Sequence, residues 1–202
     1  MKKRTIMILL CAISFILITF LVVSGNITGF DDAIYEFIYQ NHNEGLDFFF
    51  THFTHIGDTI PVVIIALVIV CFLKSQKDRL HLVVALLTTV GVNQILKHII
   101  ARPRPPMERR LITQGGYSYP SGHSMVSLCV YGILLYFTVT KVKNKKLKVL
   151  LSVLLTLMIL LIGISRIYVG VHYPSDVIGG YLLTIVILIT TISMINYHFK
   201  GE

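Results

Sequence analysis

The chain has 202 residues, of which 54% are hydrophobic and only 14% are charged. With a mean hydropathy of +0.76, this composition is too apolar for an ordinary soluble domain. The sequence therefore predicts an integral membrane protein, with residues 1–202 forming a single membrane-embedded domain. A net charge of +8 could suit nucleic acid or an anionic membrane surface, and the positions of the cations decide between the two. Cys11, Cys71 and Cys129 fall inside apolar runs and predict no disulfide framework.

Six predominantly apolar runs predict an all-α, polytopic fold, because a helix of about 20 apolar residues can cross a bilayer core. The predicted spans are residues 6–24, 59–73, 80–101, 121–140, 147–165 and 175–197. A basic flank at residues 2–4 favours a cytoplasmic start for the first span. A cleaved signal peptide is the alternative for this run, because Ser24-Gly25 follows it, although the run exceeds a normal signal-peptide core.

The basic residues alternate between the two sides of the predicted helices. One group precedes the first span, and others lie at residues 74–79, at residues 141–148 and at Lys200. Because cytoplasmic loops carry an excess of Lys and Arg, both termini are predicted to be cytoplasmic. The remaining six cations, which fall on the external side, are Lys97, Arg102, Arg104, Arg109, Arg110 and Arg166. They run against this bias and predict an anionic ligand, with a basic patch meeting lipid headgroups as the alternative.

Residues 25–58 have the character of an external segment, because they contain acidic side chains and no Lys or Arg. Within this segment, Ile34, Phe37 and Ile38 recur at helical spacing, which predicts a short amphipathic helix at the membrane interface. His52 and His55 are three residues apart and could chelate a metal, but no third ligand is evident. The alternative is that these two histidines are interfacial or pocket-lining polar residues.

A first histidine motif, Pro120-Ser121-Gly122-His123, stands at the start of the fourth predicted span. Ser121 is a suitable N-cap, and Gly122 lets the backbone approach a ligand closely. The first N–H groups of a helix have no partner within it and attract anions. The motif therefore predicts an anion-binding helix start with His123 beside the anion.

A second histidine motif, residues 165–176, interrupts two long apolar runs with polar residues. Ionisable groups so close to membrane spans predict a functional site. Pro174 pushes the preceding residue out of the helical region, and Ser175 is the predicted N-cap of the last span. His172 would then lie just ahead of a helix, with the Asp176 carboxylate in its first turn to hold the imidazole.

Three segments in this order carry a resemblance to a known family. They are Lys97 followed seven residues later by Arg104-Pro105, then Pro120-Ser121-Gly122-His123, then Ser165-Arg166 with Gly170, His172 and Asp176. This pattern resembles the three-part signature of the type 2 phosphatidic acid phosphatase family, in its bacterial membrane branch. The motifs cover about half of the chain, and no signature position departs from the family pattern.

The resemblance implies a role for each signature residue. His172 would be the nucleophile that accepts the phosphoryl group, oriented by Asp176, and His123 would be the general acid and base. The predicted phosphate-binding residues are Lys97, Arg104, Ser121, Gly122 and Arg166. The family requires no metal or other cofactor. The motif region agrees, because its external cations face only Glu108 and Asp176, whereas metal-dependent phosphatases need clusters of carboxylates.

The resemblance also implies the substrate class. It predicts hydrolysis of the terminal phosphate of phosphatidylglycerol phosphate, or of phosphatidic acid, on the external face of the plasma membrane. The alternative substrate is undecaprenyl pyrophosphate, because all of these lipids would present a terminal phosphoryl group to the same motif residues. Arg102, Arg109 and Arg110 are candidates for contacting the rest of the headgroup. No nucleic acid and no obligatory protein partner are expected beside the lipid substrate.

Proteins of other classes fit the same chain less well. Vanadium haloperoxidases have a similar set of motif residues, but their chains are larger and soluble, whereas this chain is apolar. A lipid-binding or lipid-moving protein on a degenerate copy of the fold should have lost His123, His172 or Asp176, and this chain keeps all three. A transporter would more typically place its ionisable residues at mid-membrane, whereas these gather at one face.

Overall fold

The computed structural model describes residues 2–199, which contain eight α-helices and no β-strand. The helices are α1 (Lys2–Val23), α2 (Thr28–Gln40), α3 (Glu44–Phe53), α4 (Thr59–Phe72), α5 (Gln76–Ile100), α6 (Gly122–Lys141), α7 (Lys145–Tyr168) and α8 (Pro174–His198). Short 3-10 turns cover Thr54–Gly57 and Met107–Arg109. The all-α prediction is confirmed. Lys200, predicted to be cytoplasmic, lies outside the described residues.

Five of these helices, α1, α5, α6, α7 and α8, are long and apolar enough to cross a membrane. The predicted span at residues 59–73 corresponds to α4, which has only 14 residues. Together with the preceding helix it forms a pair bent by 49°, Glu44–Gly57 and Ile60–Phe72, which could count as a sixth span. The protein is a multi-pass membrane protein, and the count of six spans stays a prediction.

Helix α6 lies at the centre of the bundle and contacts α4, α5, α7 and α8. Its buried Cys129, Val130 and Ile133 pack with Leu82 of α5 and Leu188 of α8. Helix α1 packs on α8 with one side half-buried, and its other side exposes apolar residues such as Leu10, Ile13 and Phe20. Because the membrane interior is apolar, such outward-facing residues match the lipid surroundings of a spanning helix.

The start of α8 differs from the prediction, because the helix begins at Pro174 and its N-cap is Tyr173. Proline suits the first helical position, since its missing N–H would have no partner there. Ser175 is therefore not the cap. Its N–H instead donates to Oδ1 of Asp31 over 2.9 Å, and its hydroxyl donates to the same carboxylate. This contact ties α2 to the start of α8.

The external segment contains two helices, α2 and α3, where one short helix was predicted. Helix α2 includes the predicted amphipathic residues, and it packs on α7 and α8 with Asp31 and Tyr35 buried. On its outer side Phe37 is exposed. The placement of α2 at a membrane interface stays a prediction. What the structure adds is that this segment covers the ends of α7 and α8.

The connection from α7 to α8 is short and tightly held. Gly170 has a φ of 76°, and a Cβ there would lie 2.5 Å from the backbone oxygen of Arg109. Only glycine therefore fits this turn. The backbone N–H of Leu111 donates to Val169 oxygen over 3.1 Å, and that of His172 donates to Arg166 oxygen over 3.2 Å. These contacts hold His172 against the loop that follows α5.

Candidate active site

The ends of α5, α6, α7 and α8 meet at one cavity of about 420 Å³. Residues from all three motifs line it: Lys97, Arg104, Gly122, His123 and His172. Arg166, Ser121 and Asp176 are fully buried around it. Apolar side chains of α4 and α5, among them Val62, Leu87 and Val90, line the remainder. The structure thus brings the predicted site residues together at one end of the bundle.

His172 lies at the floor of the site with only 2% of its surface exposed. Its Nδ1 is 3.2 Å from Oδ2 of Asp176, and its Nε2 is 3.1 Å from Nη1 of Arg104. Because a guanidinium can only donate, Nε2 presents its lone pair and Nδ1 carries the proton that Asp176 accepts. This is the tautomer that a nucleophilic Nε2 needs.

The charge state of His172 suits the same role. Burial lowers the pKa of His172 well below its ordinary value, and the neighbouring charges of Arg104, Arg166 and Lys97 lower it further. The imidazole is therefore neutral at neutral pH. A neutral, buried imidazole whose Nε2 carries a lone pair rather than a proton is a competent nucleophile.

Asp176 also contacts a second pair of charged residues, Arg102 and Asp31, through Arg102. Its Oδ1 accepts from Nη1 of Arg102 over 2.7 Å, and its Oδ2 accepts from the N–H of Tyr173 over 2.8 Å. The other arm of Arg102, Nη2, donates to Oδ2 of Asp31 over 2.7 Å. Both carboxylates are fully buried. Arg102 is therefore held between Asp31 and Asp176 rather than free to contact a headgroup.

The two other arginines considered for headgroup contact are also engaged within the protein. Arg109 pairs with Glu36 of α2 and lies over the ring of Tyr39 at 4.8 Å. The guanidinium of Arg110 donates from Nε to the backbone oxygen of Pro105 over 2.8 Å. Both contacts stabilise the conformation of the loop that follows α5.

Arg166 has one donor that no protein group satisfies. Its Nη1 donates to Oγ1 of Thr54 over 2.6 Å, and its Nη2 donates to Oε1 of Gln114 over 2.9 Å. Its Nε is buried and has no hydrogen-bond partner among residues 2–199. A buried donor without a partner costs about 1–3 kcal/mol, so it is expected where a ligand supplies the acceptor.

The loop between α5 and α6 holds the two other cations through its backbone oxygens. Lys97 donates to the oxygens of Tyr117 and Ser118. Arg104 donates from Nε to the oxygens of Gly115 and Gly116 over 3.1 and 3.0 Å. Burial lowers the pKa of Arg104 to about 10, so it remains charged at neutral pH. Both side chains keep further donors for an anion.

The start of α6 has the predicted form. Ser121 is the N-cap, and its hydroxyl accepts from the N–H of Ser124 over 3.4 Å and from the Ser124 hydroxyl over 2.9 Å. Its own N–H donates to the backbone oxygen of Asp176 over 3.0 Å, which joins the second and third motifs. Gly122 lines the cavity, where the first N–H groups of α6 favour an anion.

Comparison with known proteins agrees with the family that the three motifs indicated. The family model of the PAP2 superfamily matches residues 78–200, which is more than half of the chain. The chain belongs to the PAP2 superfamily. It is a membrane lipid phosphatase of that family, as the resemblance of its motifs indicated.

Individual members of the PAP2 superfamily are similar to this chain over most of its length. Phosphatidylglycerophosphatase B of Bacillus subtilis is 32% identical over 160 residues, 76% of this chain and 77% of that protein. An undecaprenyl-diphosphatase of Sulfolobus acidocaldarius is 28% identical over 165 residues, 77% of this chain and 73% of that protein. A crystal structure of a transmembrane PAP2-type phosphatidylglycerolphosphate phosphatase from Bacillus subtilis superposes with a TM-score of 0.79 at 27% identity, covering 94% of this chain and 98% of that one.

The PAP2 motifs do not contain every residue of the site. His123 directs Nε2 to Oδ1 of Asp58 over 2.8 Å, and Oδ2 of Asp58 lies 2.7 Å from Nδ1 of His55. The prediction that only Glu108 and Asp176 accompany the cations is therefore wrong, because the external segment adds Glu36, Asp31 and Asp58. Asp31 and Asp58 were missed because they lie 71 and 65 residues from their partners Arg102 and His123.

The two histidines considered as metal ligands point to different partners. Nδ1 of His52 bonds the backbone oxygen of Phe48, whereas His55 bonds Asp58. Within residues 2–199, no group of three or more His, Cys, Asp or Glu side chains is arranged to hold a metal ion. In this PAP2 protein the positive charge at the cavity comes from Lys97, Arg104 and Arg166.

Proposed function

We propose that this protein hydrolyses the terminal phosphate of phosphatidylglycerol phosphate, through a phosphohistidine at His172, on the extracytoplasmic face of the plasma membrane. The observation that carries the proposal is the neutral, buried His172, whose Nε2 lone pair accepts from Arg104 in a cavity that Lys97 also lines. The similarity to phosphatidylglycerophosphatase B of Bacillus subtilis supports the choice of substrate.

In the first step, phosphoryl oxygens bind the cations and the start of α6, and Nε2 of His172 attacks phosphorus. The P–N bond forms as the bond between phosphorus and the lipid oxygen breaks. His123 donates its proton to that oxygen, because an alkoxide is a poor leaving group. Asp176 stabilises the imidazolium that develops on His172. Phosphoryl transfer needs little from a protein beyond such positioning and charge stabilisation.

In the second step, a water molecule attacks the phosphohistidine. His123, now neutral, accepts a proton from that water while the P–N bond breaks and its electron pair returns to Nε2. Inorganic phosphate then leaves, and both histidines regain their starting protonation states. The same residue therefore serves as acid in the first step and base in the second.

The shape of the cavity favours a lipid as the phosphate donor. One end carries the cations, and the other is lined by Val62, Val63, Leu86, Leu87 and Val90 of α4 and α5. A phosphate bound at the helix ends could keep its lipid tails beside this apolar wall. We therefore propose sideways access from the bilayer, between α4 and α5.

A diphosphate on a single polyprenyl tail is the second candidate substrate, favoured by the similarity to the undecaprenyl-diphosphatase of Sulfolobus acidocaldarius. The test uses purified protein in lipid nanodiscs and compares initial rates of phosphate release from three lipids: phosphatidylglycerol phosphate, phosphatidic acid and undecaprenyl pyrophosphate. We expect the highest kcat/KM with phosphatidylglycerol phosphate and none for the His172→Asn control. A higher kcat/KM with undecaprenyl pyrophosphate would replace the proposed substrate.

A further inference from the structure

The turn between α3 and α4, residues 54–58, forms a wall of the site that none of the three motifs contains. Thr54 accepts from Arg166, as described above, and is fully buried. Gly57 lies against the ring of His123, where a Cβ would approach Cδ2 to 2.9 Å and Ile162 Cγ2 to 2.8 Å. The turn therefore packs closely against both the imidazole ring and α7.

Asp58, at the end of this turn, makes a direct ion pair with the proposed acid. Its Oδ1 is 2.8 Å from Nε2 of His123, and its Oδ2 is 2.7 Å from Nδ1 of His55. The exposed fraction of the side chain is 16% for His123, 40% for Asp58 and 58% for His55. The carboxylate therefore lies between the cavity and the outer surface, and both of its oxygens are occupied.

The identity of the bonded nitrogen has a chemical consequence. A carboxylate can only accept hydrogen bonds, so Nε2 of His123 carries a proton, and Nδ1 is the nitrogen left to exchange protons with the substrate. The negative charge of Asp58 favours the protonated ring, which burial and the neighbouring charges of Arg166 and Arg104 oppose. His172 and Asp176 have the same relationship, with the two ring nitrogens exchanged.

We propose that Asp58 is a positioning residue for catalysis, which directs Nδ1 of His123 toward the leaving oxygen and stabilises the protonated imidazole, while His55 orients Asp58. This inference rests on the proposed function, because it assumes that His123 is the acid. Asp58 acts through His123 and does not touch the phosphate. It would be the counterpart, for the acid, of Asp176 for the nucleophile.

The test uses two substrates that differ in their need for a proton. A lipid phosphate has an alkoxide leaving group that must be protonated, whereas p-nitrophenyl phosphate has a leaving group that needs no proton. The kcat/KM value reports the steps up to phosphoryl transfer to His172. For Asp58→Asn, we expect kcat/KM to fall by about 10- to 100-fold with the lipid, since general acids contribute about 10²- to 10⁴-fold. We expect little change with p-nitrophenyl phosphate.

Controls separate positioning from folding. Asp32→Asn removes an exposed carboxylate of the same external segment and should leave both values unchanged. Asp58→Glu keeps the charge and should recover part of the lipid activity. His55→Gln should lower lipid activity less than Asp58→Asn, whereas His52→Gln, one turn earlier, should have no effect. If the Asp58 variants do not fold, the His55 and His52 pair carries the test.

The outcomes distinguish this inference from the proposed function. An equal loss on both substrates by Asp58→Asn, without recovery in Asp58→Glu, would show a structural role and overturn the inference. Full lipid activity in folded Asp58→Asn would also overturn it, while leaving the proposed function intact. A wild-type protein that hydrolyses no lipid phosphate would overturn the proposed function itself.

Discussion

Nη1 of Arg104 lies 3.1 Å from Nε2 of His172, so a residue proposed to bind phosphate donates to the lone pair that is proposed to attack phosphorus. The same Nη1 donates to the backbone oxygen of Val171 over 2.8 Å. An incoming phosphoryl group offers charged acceptors, which bind a guanidinium more strongly than a neutral imidazole does. Substrate binding should therefore draw the donor of Arg104 away from Nε2 and expose the nucleophile.

This relationship predicts that Arg104→Lys is not a conservative change. A lysine keeps the charge but lacks the planar fork that contacts Val171 oxygen, His172 and the phosphate together. We expect kcat/KM to fall by at least about tenfold, the loss of about one good charged hydrogen bond, with weaker inhibition by vanadate. Vanadate tests the binding part because it mimics the transferring group. Unaltered vanadate inhibition would argue against a phosphate-binding role for Arg104.

The depressed pKa of His172 predicts activity that persists into acid. Its neutral form is the proposed nucleophile, and a pKa below the ordinary value of about 6.5 keeps that form present at lower pH. Arg104→Gln removes one of the charges that lower this pKa, so the acid limb of kcat/KM should move to higher pH. Both proteins should be measured with p-nitrophenyl phosphate, because the ionisation of the substrate is then common to the two profiles. Coincident acid limbs would contradict the assigned cause.

The ion pair between Arg102 and Asp176 predicts the effect of replacing Arg102. Arg102→Leu would leave the buried Asp31 and Asp176 carboxylates without their shared cation, and losing one partner of a buried pair costs about 3–5 kcal/mol. We expect a clearly lower thermal unfolding temperature, together with a loss of activity even on p-nitrophenyl phosphate, which has no lipid headgroup. The matched control is Arg109→Gln, whose ion pair with Glu36 is at the surface and should contribute little. A loss of activity confined to lipid substrates would instead indicate headgroup contact.

These residues show where sequence reasoning succeeds and where it stops. Local rules identify the motif residues and the Ser121 cap of α6, but they place the cap of α8 at Ser175, whereas the helix begins at Pro174. Asp31 and Asp58 could not be found in this way, because their partners lie far along the chain. Nothing local to residues 25–58 shows that α2 and the turn before α4 pack onto the helix ends. Asp31 and Asp58 were therefore predicted only as part of an acidic external segment, whereas Asp176 was found within its motif.

The proposed topology places the loop after α5 outside the cell and the connection between α6 and α7 in the cytoplasm. Met107 and Lys145 are both exposed and suit replacement by cysteine. In intact cells, a membrane-impermeant maleimide should label Met107→Cys at once and Lys145→Cys only after permeabilisation. The parent protein gives the background from its three native cysteines. Equal labelling of the two variants in sealed cells would contradict the topology.

The covalent intermediate separates the proposed mechanism from direct attack by water. A phosphohistidine is stable in alkali and labile in acid, and its hydrolysis requires His123 to activate water. With a lipid substrate, His123→Ala also slows the first step, because the alkoxide lacks its proton donor. With p-nitrophenyl phosphate the first step does not require a proton from His123, so His123→Ala should accumulate a phosphoenzyme.

This prediction is checked by quenching the reaction in alkali and measuring phosphate bound to the protein. His123→Ala should retain close to one phosphate per active site, wild-type protein should retain less, and His172→Ala should retain none. Vanadate added before the substrate should prevent labelling, because it occupies the phosphate site. Label retained by His172→Ala would place the nucleophile elsewhere. Turnover without label in any variant would mean that water attacks the substrate directly, with His172 acting as a base.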